Sequence, residues 1–361
     1  MKYPLSLTEN YIHNWGLWEA IRELLQNAID HEGGYKVDYS PEKSQLSIKT
    51  FGKTLEPKSL LLGASTKQED STKVGQYGEG YKMALLVLTK LKHPVEIING
   101  SVKWEPVFEF SEMFGERVLT IQEAQTEEGN DVEFKIGHFT MSDWEEVKAK
   151  CLHLNHYNGE YDKYVIDTSY GKVLKCVGGS LFVNGLFVCN TQQDYGYDIK
   201  PEYLALDRDR KSVCSFDLQW VSGRIWAEVG VTEETAKDIF EGKTDVRYIG
   251  THSSSEQGNE FYNLALEKHG EDAYFTDDYK TAKKWEREGA ENVVVVSTCA
   301  KELLQRSHHY TEPPKKEILS PYHVIEQLLE KQKCLGIPAD LQEALESLLK
   351  IAESWQDKRS A

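Results

Sequence analysis

Residues 17–31, LWEAIRELLQNAIDH, constrain the fold most. Apolar side chains recur at Leu17, Ala20, Ile21, Leu24, Leu25, Ala28 and Ile29. This spacing gives a helix one apolar face. Glu23 and Asn27 are one turn apart and share a face of that helix, with Asp30 a further turn along. Gly33-Gly34 stops the helix. Two strand-like runs follow, Tyr35–Tyr39 and Gln45–Thr50.

Further along, Lys58–Leu62 reads as a short helix, and residues 63–77, polar and rich in Gly, Ser and Thr, as a mobile loop. Residues 79–92, EGYKMALLVLTKLK, form a second apolar helix, and strands follow from His93 to Gly137. Met141–Leu154 is expected as a helix capped by Ser142, with Glu145 in the capping-box position. Strands return around VLKCVGGSLFVNGLFVCN. A polar link leads to YLALDRDRKSV and a helix near 216–228. A third unit spans about 232–305, best marked by a helix near 278–288 and the apolar strand Asn292–Ser297. His308–Lys316, with Pro313-Pro314, reads as a linker. The tail from about 320 to 356 is helical, with a break at Gly336-Ile337-Pro338.

The length of 361 residues suits two or three domains, and 40% apolar residues suffice for a sizeable core. A formal charge of −17 and a pI near 5.2 argue against direct nucleic-acid binding through a uniformly basic surface. An acidic surface serves solubility or attracts a basic partner. None of the six cysteines lies in a C-x-x-C pair, so neither a zinc ribbon nor a redox motif is expected; they read as reduced thiols. No stretch reaches the ~20 apolar residues that span a bilayer. The start, Met1-Lys2-Tyr3-Pro4, lacks the apolar run of a signal peptide. A soluble, cytoplasmic protein without a membrane partner is expected.

Two features carry chemistry. The Glu23/Asn27 face offers a carboxylate that can orient or deprotonate a water and an amide oxygen hard enough for magnesium; a solvated helix face would show the same spacing. The run Gly75-Gln76-Tyr77-Gly78-Glu79-Gly80-Tyr81-Lys82 sets three glycines ahead of the second helix. Glycines let backbone amides approach a phosphate, the helix N-terminus adds a favourable dipole, and Lys82 can supply charge; a plain turn is the alternative.

In order along the chain stand E-L-L-Q-N-A-I-D, Gly52 at a strand end, Gly63-Ala64-Ser65-Thr66-Lys67, and the glycine run. This series resembles the GHKL (Bergerat-fold) superfamily: type II topoisomerase subunits, heat-shock chaperones of the ninety-kilodalton class, sensor histidine kinases and MutL-like repair proteins. The resemblance covers roughly residues 10–140. It implies an α+β chain: a Bergerat-type α/β sandwich, a mixed sheet with helices on one face, then a transducer-like α/β domain and a helical C-terminal region. The expected boundaries are 1–140 for the ATP-binding domain, 141–230 for the transducer-like domain, 231–305 for a small α/β unit and 306–361 for linker and helical tail.

By position, the resemblance implies that Glu23 is the general base and Asn27 the magnesium ligand. The implied cofactor-binding set is Asn27, Asp30, Thr50, Gly52, Ser65, Thr66 and Lys67 at the start of a lid, and Gly75, Gln76, Tyr77, Gly78, Glu79, Gly80, Tyr81 and Lys82. Gly129-Asn130-Asp131-Val132 resembles a later turn leading into a pocket strand; an ordinary hairpin turn reads equally well. One departure stands out. Where the family has Asp-x-Gly-x-Gly, with the Asp reading adenine, this chain has Thr50-Phe51-Gly52-Lys53-Thr54. Thr50 accepts a hydrogen bond but carries no charge, which puts base selectivity in doubt. The resemblance also implies a basic residue of the second domain that reaches back to the γ-phosphate; Arg208, Arg210 and Lys211 are the candidates, although Asp207 and Asp209 interleave as in a surface ion-pair run.

The expected cofactors are ATP and Mg2+. The expected activity is that of a slow ATPase acting as a conformational switch on a protein partner, with an ATP-dependent dimer as one arrangement. The alternative is a nucleotide-gated or acidic binding protein that clamps or inhibits a partner with little hydrolysis, phage–host conflict being one setting for it. His308-His309 lacks the context of a phospho-acceptor helix.

Overall fold

The computed structural model describes residues 1–61, 80–154, 164–207, 211–314, 321–333 and 338–360. Ser65, Thr66, Lys67, Gly75, Gln76, Tyr77, Gly78, Glu79, Arg208 and Arg210 lie outside the described residues.

The first layer is a seven-stranded sheet. Its strands are β1 (Lys2–Thr8), β2 (Tyr35–Ser40), β3 (Gln45–Thr50), β4 (Val95–Asn99), β5 (Val102–Ser111), β6 (Glu116–Gln125) and β7 (Val132–Ile136), in the order β1-β6-β5-β4-β7-β3-β2. Every pairing is antiparallel. The α/β sandwich is therefore as expected, while the sheet is antiparallel rather than mixed: hairpins join β2 to β3, β4 to β5 and β5 to β6, and longer connections join the other neighbours. β1 has no counterpart in the sequence reading. Its Leu5 and Leu7 alternate inward and add it to the free edge of β6.

α1 (Leu17–Ile29) and α2 (Gly80–Lys90) pack against each other and against the sheet. Ile21, Leu24, Leu25 and Ala28 from α1 meet Ala84, Leu85 and Leu88 from α2 in one core with Leu46, Ile97, Trp104 and Ile136. A short 3-10 turn, Pro57–Leu60, replaces the helix expected there. Trp18 is buried in this core, Trp15 packs at its margin and Tyr11 is exposed.

α3 (Met141–Lys150) begins one residue earlier than its expected cap. Thr140, not Ser142, caps it: the Thr140 hydroxyl accepts from the Asp143 N–H at 3.2 Å, and Asp143 accepts the Thr140 N–H at 2.8 Å. Thr140 and Asp143 are themselves three residues apart, the same spacing as the Ser142/Glu145 pair, so spacing alone did not separate the two boxes. After α3, Cys151 bridges to Leu186, and both join the first core.

A second sheet holds β8 (Val165–Thr168), β9 (Gly171–Leu174), β10 (Ser180–Val183), β11 (Leu186–Asn190) and β12 (Gly196–Ile199), in the order β11-β10-β12-β9-β8. Only β10 and β12 run parallel. α4 (Ser215–Val229) packs on β8 and β9. α5 (Glu233–Glu241), α6 (Ile249–His252), α7 (Ser255–His269) and, later, α9 (Thr298–Leu304) complete the helical part. The remaining elements are β13 (Tyr274–Thr276), α8 (Tyr279–Arg287), β14 (Val293–Val295), α10 (Pro321–Lys333) and α11 (Ala339–Ser360); β13 and β14 pair in parallel.

The chain divides into two compact units, Met1–Leu264 with Ser297–His308, and Ala265–Val296 with His309–Ala361. No described helix is long and apolar enough to cross a membrane.

Candidate nucleotide site

The two motif helices meet where Glu23 lies against Gly80. Glu23, 5% exposed, lies within the buried side of α1. Its carboxylate abuts Gly80, the first residue of α2: a Cβ added at Gly80 would overlap Glu23 Oε2 and stand 3.2 Å from its Cδ. No side chain larger than hydrogen fits there without moving the carboxylate. Arg22 Nη2 lies 3.4 Å from Glu23 Oε1, and both side chains are buried. A buried pair of this kind trades desolvation against attraction and fixes position more than it stabilises.

Asn27 Nδ2 donates to the Glu23 carbonyl at 2.9 Å. That bond occupies the nitrogen limb of the amide, so the oxygen limb remains the one suited to a hard cation. Asp30 caps the end of α1 and accepts from Gln26 Nε2 at 2.7 Å.

Thr50 is buried at the last position of β3, paired with Val132 of β7. Gly52 has φ +63°, a conformation glycine adopts without strain. Asp131 fixes this turn: its Oδ1 accepts the Gly52 N–H at 2.9 Å and its Oδ2 pairs with Lys49 at 2.9 Å. These contacts hold the Asp131 carboxyl below the usual carboxylate range. The Gly129–Val132 segment is thus a turn that leads into a strand beside Thr50, and Asp131 is spent on the turn. Asn99 adds a second clamp, accepting the Leu55 N–H at 2.6 Å and donating to the Leu55 carbonyl at 2.8 Å. The sequence reading missed Asn99, because a polar residue closing a strand carries no local signal of its distant partner.

The two side chains after Gly80 make contacts within the chain. Lys82 is 0% exposed, and its ammonium donates to the Ser59 carbonyl at 3.0 Å and to the Leu61 carbonyl. Tyr81 bonds the Ser59 hydroxyl at 2.9 Å, and burial pushes its phenol up to about 12. Both tie the turn at 57–61 to α2.

Lys211 reaches α1. Its ammonium stands 2.9 Å from Glu19 Oε1 and donates to the Asn14 carbonyl. Glu19 Oε2 accepts the Gly16 N–H at 2.8 Å. Burial works to raise the Glu19 pKa, but the Lys211 and Gly16 hydrogen bonds outweigh it and hold Glu19 below the ordinary range. Asp207 folds the segment for this contact, accepting from the Lys211 N–H at 2.8 Å and the Ser212 hydroxyl at 2.7 Å. Burial opposes ionisation of Asp207, yet these bonds and the nearby Arg22 charge keep its pKa low. Among the described residues no group of three His, Cys, Asp or Glu is placed to hold a metal ion.

The fold and this geometry define an α+β protein whose first sheet carries two helices joined at a buried carboxylate and a glycine. No family model matches the chain. It is similar to an uncharacterised protein of Mycoplasma pneumoniae (strain ATCC 29342 / M129 / Subtype 1), 26% identical over 233 residues, which covers 59% of this chain and 92% of that one. Among solved structures, it is similar to the ATPase region of Saccharomyces cerevisiae topoisomerase II bound to ICRF-187, with 13% identity and a TM-score of 0.33. That match covers 48% of this chain and 62% of the yeast one. The ATPase and transducer domains of Balamuthia mandrillaris topoisomerase II align over 69% of this chain and 91% of theirs, with 11% identity and a TM-score of 0.37. Likeness at this level does not carry a fold or an activity from one chain to another.

Proposed function

We propose that residues 1–140 bind ATP with magnesium and that the chain is a slow ATPase working as a conformational switch on a protein partner. The observation that carries this reading is the meeting of Glu23 with Gly80. These residues belong to two motifs that the GHKL resemblance pairs, and they come into contact although more than fifty residues separate them in sequence. The residues present fit the group. Gly80 opens the N-terminus of an 11-residue helix, where backbone N–H groups and the helix dipole favour an anion. The Asn27 amide oxygen suits magnesium, which when bound neutralises phosphate charge. Glu23 would take a proton from the attacking water, with Arg22 holding its carboxylate in place. Thr50 and the Gly52 turn would border the base.

Glu23→Ala tests this reading. Calorimetric titration with ATP and ADP, with magnesium or EDTA, should give parent-like affinity, while single-turnover hydrolysis should fall about 10²–10⁴-fold. Absence of ATP binding in the parent sinks the proposal; parent-rate hydrolysis by the variant removes Glu23 as the base.

The second reading is a nucleotide-gated clamp or inhibitor with little hydrolysis. Thr50 favours it, because a neutral hydroxyl stands where the family's base-reading carboxylate would be. ATP binding without turnover in the parent would select it.

A further inference from the structure

We propose that the face built by α4 and the turn into α6 binds a single-stranded nucleic acid, Phe216 and Trp220 stacking on its bases and Arg224 and Arg247 meeting its phosphates. Phe216, Trp220 and Arg224 recur every four residues along α4, so they follow one side of the helix at steps of about 6 Å. The Phe216 and Trp220 rings are stacked, with centroids 5.8 Å apart and planes 23° from parallel. Phe216 is 53% exposed, so the stack ends on a ring open to solvent. Tyr248 meets Phe216 in a T-shaped contact at 5.5 Å, and His252 meets Trp220 in another at 4.5 Å. These contacts fix the two rings from the side.

Three arginines border the rings. Arg247 lies over Tyr248, 5.9 Å from the ring centroid, and Arg224 over Tyr170 at 5.7 Å. Arg306 Nε donates to the Gly250 carbonyl at 3.0 Å, two residues before His252. Burial and the charges of Arg224 and Arg306 hold the His252 pKa below its ordinary value, so both charges bear on the ring cluster. None of the three arginines pairs with a carboxylate among the described residues, although the chain carries 59 acidic residues against 42 basic ones. Arg22 and Arg117, by contrast, each do. The acidic groups of α4 are engaged otherwise. Glu228 accepts the Ser169 N–H and hydroxyl at 2.8 and 2.5 Å, and Asp217 stands in the first turn, where the helix dipole favours it.

Charge and shape select the occupant. Guanidiniums without carboxylates call for an anion, and their fork matches phosphate oxygens. An exposed stacked ring calls for a flat conjugated group. A single strand supplies both along its length. A duplex keeps its base faces in its own stack, and an acidic peptide brings the charge without the rings. The net charge of −17 repels any polyanion at a distance, so the contact should weaken steeply with salt.

Fluorescence anisotropy of a labelled oligothymidylate of about twelve nucleotides, with the full chain at low salt, tests this. The strand should bind, and excess ATP should not displace it, which keeps the result separate from the proposed nucleotide site. Phe216→Ala should weaken binding about tenfold or more, the scale of one lost base stack, and Phe216→Tyr should retain it. Arg247→Gln should lower the slope of log affinity against log salt by about one. Phe216 and Arg247 are both exposed, so circular dichroism of each variant should match the parent. Failure of the parent to bind, equal affinity for an abasic strand of the same length, or displacement by ATP would each overturn the proposal. So would parent-like affinity in Phe216→Ala. Equal competition by polyglutamate would overturn it as well and give the face to an acidic peptide.

Discussion

Lys211 holds Glu19 at 2.9 Å, and Glu19 stands one helical turn before Glu23. The segment after the second sheet is thus fastened to the helix that carries the proposed base. Lys211→Ala should cost only about 0–1 kcal/mol of stability, as for other partly exposed pairs. If Lys211 also answers to the terminal phosphate, the variant should lose hydrolysis and any ATP-specific compaction in solution scattering, yet keep ADP affinity. Compaction equal to the parent's would reduce the contact to a surface ion pair.

The same pair sets a pH dependence. The Glu19 pKa is depressed in the folded chain, so its contribution is present above the unfolded value and lost as pH falls through the folded one. Acid titration of thermal stability should therefore be shallower in Glu19→Gln than in the parent at the acidic end. Parallel curves would mean that Lys211 does not discriminate the charged form.

Gly80→Ala probes the junction of the two helices. The new methyl group would overlap Glu23 Oε2 and stand 3.2 Å from its Cδ. The carboxylate is the mobile end of its side chain, so the fold should persist while the base is displaced. Hydrolysis should drop about 10²-fold, within the range for a positioned proton acceptor. A parent-like rate with alanine at this position would separate Gly80 from the work of Glu23.

Lys82→Met separates an anchor from a phosphate ligand. Two carbonyls, of Ser59 and Leu61, lose a charged donor. Unfolding in urea should show a loss of about 1–3 kcal/mol. Nucleotide affinity, measured where the variant is fully folded, should fall less than about tenfold; a larger loss would return Lys82 to the phosphate.

Tyr197→Phe tests the polar knot under the second sheet. The Tyr197 hydroxyl donates to Asp245 at 2.6 Å and accepts from Trp226 Nε1 at 2.9 Å. Removing it strands the Trp226 Nε1–H, while Asp245 keeps the Asp194 and Tyr195 N–H donors, at a cost of about 1–3 kcal/mol. An unchanged denaturation midpoint would show that water replaces the hydroxyl.

The two helices of the site were legible because a helical period shows in any window with apolar spacing such as that of Ile21, Leu24, Leu25 and Ala28. The strands from β2 to β7 were legible by alternation and turn residues. β1 was not, since only Leu5 and Leu7 point inward and its partner β6 lies more than a hundred residues on. The partners of Lys211 were beyond local reading as well: Asn14 is 197 residues away, and no spacing rule spans that distance. The contacts of Lys82 were beyond local reading too: a lysine after a glycine run suggests an anion, and nothing in the spacing announces the Ser59 and Leu61 carbonyls.

Cys151 and Leu186 belong to the same apolar cluster as Leu24 and Ile97, and Trp144, Leu154 and Phe187 lean on it. A cut after residue 140 would therefore leave the Glu23 helix and the glycine run in the fragment and still open its interior to water. The apolar cluster that surrounds the signature is thus completed by residues as far on as Leu186.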